Sequence, residues 1–80
     1  MEKGKIMTYK QAKIILAYAE NDMNAFITSE KIYNSYRNIT YHLDTITKQT
    51  GRDPRKFYDL CYLVGIAAQV MEGRKYVGYR

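Results

Sequence analysis

Residues 27–51 read ITSEKIYNSYRNITYHLDTITKQTG, and the way this stretch divides decides the architecture. From Tyr36 onward, Ile39, Leu43 and Ile46 recur at spacings of four and three, which places them on one narrow helical stripe. At about 100° per residue, Arg37, Tyr41, Asp44, Thr45 and Lys48 fall on the opposite side, with Asn38 and Thr40 on the flanks. Thr50-Gly51 closes the segment, because glycine takes the positive φ of a helix C′ position without steric penalty. The spacing predicts a helix over about 36–49. Ahead of it, Asn34 and Ser35 form a break without glycine, asparagine being one of the few residues that tolerate left-handed backbone. A short helix over about 25–33 precedes the break, with Phe26, Ile27 and Ile32 as its buried candidates and Thr28, Ser29, Glu30 and Lys31 facing out. Two helices joined by a tight turn thus present one polar face. Tyr41 is its informative member, since an aromatic opposite the aliphatic stripe has no packing role within its own helix.

The flanking segments supply the support. Thr8 and Gln11 form a capping-box pattern, and Pro and Gly are absent from there through Asn21, so an amphipathic helix of about four turns is expected, with Ala12, Ile15, Leu16, Tyr18 and Ala19 on its apolar side. Residues 20–24, ENDMN, are rich in side chains that satisfy backbone groups in turns and caps. Asp53-Pro54 combines a strong N-cap with a residue pre-set for the first helical turn, which starts the last helix at Pro54 and carries it to about Met71. Phe57, Leu60, Cys61, Val64, Ala67, Ala68 and Met71 give that helix a continuous apolar face, widened by Leu63, Ile66 and Val70. It is more apolar than one packing face needs, which points to a buried helix or a dimer contact. No strand-like alternation of useful length and no internal repeat is present. The expected architecture is an all-α, compact four-helix domain over 8–72, with a loose arm at 1–7 and a basic tail at 73–80.

Composition narrows the chemistry. Eighty residues make one small domain, and 46% hydrophobic content suits a globular chain. A single cysteine, Cys61, cannot close an intramolecular disulfide and is expected as an inert core residue. With neither disulfide framework nor metal to add stability, a homodimer is the expected state. The first residues lack the apolar core of a signal peptide, and no run of about 20 apolar residues occurs, so a cytoplasmic protein with no membrane partner is expected. The net charge of +5 favours a polyanion, because Lys and Arg near phosphates release condensed counterions. His42, the only histidine, has no second His, nearby Cys or carboxylate cluster, and reads as a partly buried structural residue rather than a metal ligand. There is no Gly-rich phosphate loop and no nucleophile elbow, and the carboxylates are scattered. Neither an enzyme nor a cofactor is expected.

At YHLDTITKQTGRDPRKFYDL, residues 41–60, the chain resembles a known family: the C-terminal helix-turn-helix domain of PucR-type and sugar-diacid-type bacterial transcription regulators. That family carries a stretch like A-x-x-L-x-V-H-R-N-T-L-x-Y-R-L-x-x-I-x-x-x-T-G, then a short D-P-type turn and another apolar helix. Ile32, Ile39, Tyr41, Leu43, Ile46, Thr50 and Gly51 align with it without a gap, AYAENDMN resembles the segment leading into it, and the likeness spans roughly Thr8 to Met71. Ser29 stands at the family's alanine, Asn34 at its turn valine, and Ser35, Tyr36, Arg37 and Asn38 at its H-R-N-T.

The resemblance implies a helix-turn-helix whose second helix enters the major groove of double-stranded DNA in a bacterial or phage setting. On that basis Tyr36, Arg37, Asn38, Thr40 and Tyr41 are the base-reading candidates. Arg37 suits guanine O6 and N7, Asn38 suits adenine N6 and N7, and the Thr40 methyl suits thymine. Thr28, Ser29, Lys48, Arg52, Arg55 and Lys56 are the phosphate candidates. Two copies would read half-sites about one helical turn apart. The larger regulators carry sensor domains that this chain lacks, and no small-molecule effector is expected. The competing expectation is a protein-interaction module that docks through the apolar last helix. A third, based on the tyrosines and basic residues of the tail, is non-specific nucleic-acid binding.

Overall fold

Thr8 opens the first helix as its capping box predicts: its Oγ1 accepts the Gln11 N–H at 3.1 Å, and Gln11 Oε1 accepts the Thr8 N–H at 2.9 Å. The computed structural model describes residues 7–75, and among these the chain forms four α-helices and no strand. They are α1 (Tyr9–Glu20), α2 (Ala25–Lys31), α3 (Tyr36–Thr50) and α4 (Phe57–Lys75). None of them is long and apolar enough to cross a membrane. Residues 1–6, nearly all of the expected arm, and 76–80, with both tail tyrosines, lie outside the described residues.

Met7 belongs to the core and not to a loose arm, being 2% exposed. It occupies the residue before the N-cap, and Ala12, 0% exposed, stands at the fourth helical position, the two places that a hydrophobic staple joins. α1 itself is buried on adjacent positions, Gln11 with Ala12, Ile14 with Ile15, and Ala17 with Tyr18, so it covers more than one neighbour. It packs most extensively on α4 and also meets α2 and α3, whereas α4 closely approaches α1 alone. Gln11 Nε2 donates to Gln49 Oε1 at 3.2 Å and ties the first turn of α1 to the end of α3. Burying each large aliphatic side chain in the cluster of Ile14, Ile15, Ile39, Leu43, Ile46, Leu60 and Leu63 stabilises the fold by about 1.5–3 kcal/mol.

The second helix corrects the sequence reading. Phe26 and Ile27 are 57% and 39% exposed, while Thr28 and Ser29 are 0% and 4% exposed. Ala25, Thr28, Ser29 and Ile32 form the inward stripe, at spacings of three, one and three. Small side chains there let α2 lie close to α1 and α3. Burying the two hydroxyls costs little, because Thr28 Oγ1 donates to Asn24 O at 2.7 Å and Ser29 Oγ to Phe26 O at 2.6 Å. The left-handed residue of the following turn is Tyr33 (φ 54°), not Asn34.

The third helix runs as the spacing predicts. Ile39, Leu43 and Ile46 are 0%, 1% and 0% exposed, and Gly51 caps the end at φ 77°.

The last helix starts later than Asp53-Pro54 implies. Asp53 Oδ1 accepts the Arg55 N–H at 2.9 Å and Asp53 O the Lys56 N–H at 2.9 Å, which closes a separate turn; the first bond of α4 proper is Leu60 N–H to Lys56 O at 2.8 Å. It then continues to Lys75, through the first residues assigned to the tail. Among the described side chains Leu60, Leu63 and Ala67 are its buried residues, whereas Phe57 is 62% exposed and Cys61 and Ala68 face outward. Cys61 is therefore a surface thiol and not a core residue.

Candidate nucleic-acid interface

The entry to α3 is locked by side chains. Ser35 Oγ caps the helix by accepting the Asn38 N–H at 2.9 Å, and Asn34 Oδ1 accepts both the Ser35 N–H at 2.9 Å and Asn38 Nδ2 at 2.8 Å. The three buried aliphatic residues set the roll of the helix about its axis. Its outer face is Arg37, Tyr41, Asp44 and Lys48, all exposed.

Among the base-reading candidates, Arg37 is exposed and its side chain has no hydrogen-bond or ion-pair partner among the described residues, and Tyr36 and Tyr41 are 54% and 61% exposed. Asn38 and Thr40 are half-buried. One amide hydrogen of Asn38 is committed to Asn34, and the Thr40 hydroxyl donates to Arg37 O at 2.9 Å. The helix thus offers one free guanidinium and two aromatic rings, while the other two candidates are partly engaged in holding its first turn.

The phosphate set divides three ways. Thr28 and Ser29 are buried and donate into their own helix, so their side chains cannot reach a phosphate. Arg52 pairs with Asp59 at 3.5 Å and lies over the Tyr62 ring, 4.1 Å from its centroid. Arg55 pairs with Asp44 at 3.0 Å and with Asp53 at 3.7 Å, which joins the 52–56 turn to the outer face of α3. Lys48 and Lys56 are exposed without an ion-pair partner among the described residues. Four cations here face three carboxylates, Asp44, Asp53 and Asp59, so this flank is close to charge-balanced. The ion pairs are solvent-exposed and worth only about 0–1 kcal/mol each, so a phosphate can compete for the arginines.

Tyr33 was not among the sequence candidates. It is 96% exposed and holds φ 54° in the turn between α2 and α3, where a bulky side chain is strained by about 1–2 kcal/mol. A turn that lacks glycine yet carries a tyrosine was the available signal. Tyr33→Gly should raise the unfolding free energy, by no more than about 1 kcal/mol once the entropy of the glycine chain is included. Urea denaturation measures it, and a clear loss of stability would show that the ring is needed for the fold.

His42 lies beside the aliphatic stripe, half-buried, with Nδ1 buried and without a partner, and its ring meets Tyr41 edge-on at 5.3 Å. Burial, and secondarily Lys10, hold its pKa below the usual 6.5. The folded state therefore binds fewer protons than the unfolded chain once the pH drops below about 6.5, and stability falls with pH through that window. Urea denaturation at several pH values should show the parent losing stability between pH 7.5 and about 5.5 by more than His42→Gln does. Equal slopes would mean that the imidazole is no more buried than in the unfolded chain. Burial also raises the Tyr18 hydroxyl pKa, with nearby Arg55 acting against it, so that core phenol stays neutral.

The described residues define a small all-α domain with an exposed aromatic and cationic helix face. Comparison with family models, curated proteins and solved structures finds no match.

Proposed function

We propose that the chain is a cytoplasmic, sequence-specific regulator that binds double-stranded DNA, with α2 and α3 as a helix-turn-helix and α3 in the major groove. The observation that carries this is the presentation of Arg37, exposed and with its side chain free of any partner among the described residues, on a helix face whose orientation is set by Ile39, Leu43 and Ile46 and by the Ser35 cap. A free guanidinium on such a face suits bidentate contact with guanine, and Tyr36 and Tyr41 on the same helix supply apolar contact area. The four-residue connection between α2 and α3, residues 32–35, has the length such motifs use. Ser29, at the alanine position of the resembled family, is small and buried. Lys48 and Lys56 are the side chains best placed for phosphates, and the net charge of +5 supplies the long-range attraction.

Fluorescence anisotropy with random and selected duplexes over a range of salt tests the reading. Affinity should fall steeply with salt and retain a sequence preference. Absence of binding to any duplex at low salt would end it. A second reading, docking of a protein through α4, is favoured by the outward exposure of Tyr58 and Tyr62, at 84% and 48%. The two use different faces.

A further inference from the structure

The outward face of α4 is built unlike the rest of the surface. Rotating about 100° per residue places Tyr58, Cys61, Tyr62, Ala68, Gln69 and Glu72 within about 60° of Gly65, and all seven are exposed. Only Glu72 in that set carries a charge, and the one cation at its border, Arg52 over the Tyr62 ring, is paired with Asp59, in a chain of net charge +5 whose other helices expose Lys10, Lys13, Lys31, Arg37 and Lys48. Gly65 itself is unexplained within one chain. It sits mid-helix, where glycine is the least favourable residue after proline, yet a Cβ there would meet nothing within 4 Å, and its backbone has no positive φ.

We infer that this face binds a second copy of the chain, with the two α4 helices antiparallel and crossing at Gly65. Three observations select that occupant. Two chains of charge +5 repel one another, and a face whose one bordering cation, Arg52, is paired with Asp59 is where they meet at least electrostatic cost. The face is also self-complementary about a two-fold axis through Gly65, as an isologous contact requires. Tyr62 then lies opposite Ala68 of the other copy, large against small, and Cys61 opposite Gln69. Tyr58 lies opposite Glu72, so a phenol that can donate meets the one carboxylate, beside the positive end of the other helix. Last, a glycine with open space in front of it allows the two backbones to approach closely at the crossing point. The proposal does not depend on DNA being the ligand, because the α3 face plays no part in it.

Sedimentation velocity on the full chain, without DNA, should show a dimer at micromolar concentration. Gly65→Lys should weaken self-association by about 100-fold or more, since it places two like charges on the axis. Its helical circular dichroism should match the parent, because the new side chain points into open space. Gln69→Cys should allow an oxidised covalent dimer between the introduced thiol of one copy and Cys61 of the other. Within one chain those positions are two turns apart, about 12 Å, too far for a disulfide. A parent that stays monomeric at 100 μM or so, or a Gly65→Lys variant that associates as tightly as the parent, would overturn the proposal. So would oxidation of the parent to a Cys61–Cys61 dimer as readily as the variant, which would place the helices otherwise.

Discussion

Leu43→Ala should lower the unfolding free energy by about 2–5 kcal/mol, the range for emptying a buried leucine site. Leu43 is 1% exposed, lies between Ile39 and Ile46 on the stripe that faces the core, and belongs to the cluster that includes Ile14, Ile15 and Leu63. A domain of this size has only about 5–10 kcal/mol to lose, so the variant should keep a much smaller margin of stability. Urea denaturation followed by circular dichroism measures the change, with the slope retained and the midpoint lowered. A loss below about 1 kcal/mol would mean that α3 is held by its caps and not by its stripe.

Arg37→Ala should leave the fold within about 0.5 kcal/mol of the parent, because the side chain is exposed and unpaired among the described residues. On the proposed DNA-binding reading its effect falls on DNA affinity, at about 1–3 kcal/mol, with preference relaxed at one base pair and a smaller salt slope. Competition binding with a panel of single-base variants of a selected site resolves the two parts. If the variant discriminates among sites as the parent does, α3 is not the reading helix, whatever affinity remains. Together the two substitutions separate the inner side of one helix, which answers in stability, from the outer side to which the proposal assigns recognition.

The third helix was legible in the sequence because local and tertiary demands coincide there: aliphatic residues at helical spacing, Ser35 before them and Gly51 after. The second helix was not, because its close approach to α1 and α3 selects small residues for the inside, Ala25, Thr28 and Ser29, and leaves Phe26 and Ile27 outside. Hydropathy points the wrong way in such a place. At Asp53-Pro54 the capping chemistry was identified correctly, but the turn it closes is a separate one, held by the Asp53 carbonyl and by Asp59 Oδ2 accepting the Asp53 N–H at 3.1 Å. Met7, expected in the loose arm, is instead buried, because the residue before a capping box is where a hydrophobic staple forms. On the candidate site, the exposure of Arg37 followed from its position on the wheel. The engagement of Arg52 and Arg55 by acidic neighbours depends on how the 52–56 turn folds back on α3 and α4, which no helical periodicity contains.

The dependence of α4 on α1 alone bears on how the molecule forms. The most extensive helix pairing joins the first helix to the last, so the whole segment from residue 21 to 56 must be looped before it can close. During synthesis α1 emerges early with Ile14 and Ile15 uncovered, and its main partner is not yet made. The α2–α3 pair is close in sequence and closes at low entropic cost, whereas the pairing of α4 with α1 carries the larger loop-closure cost.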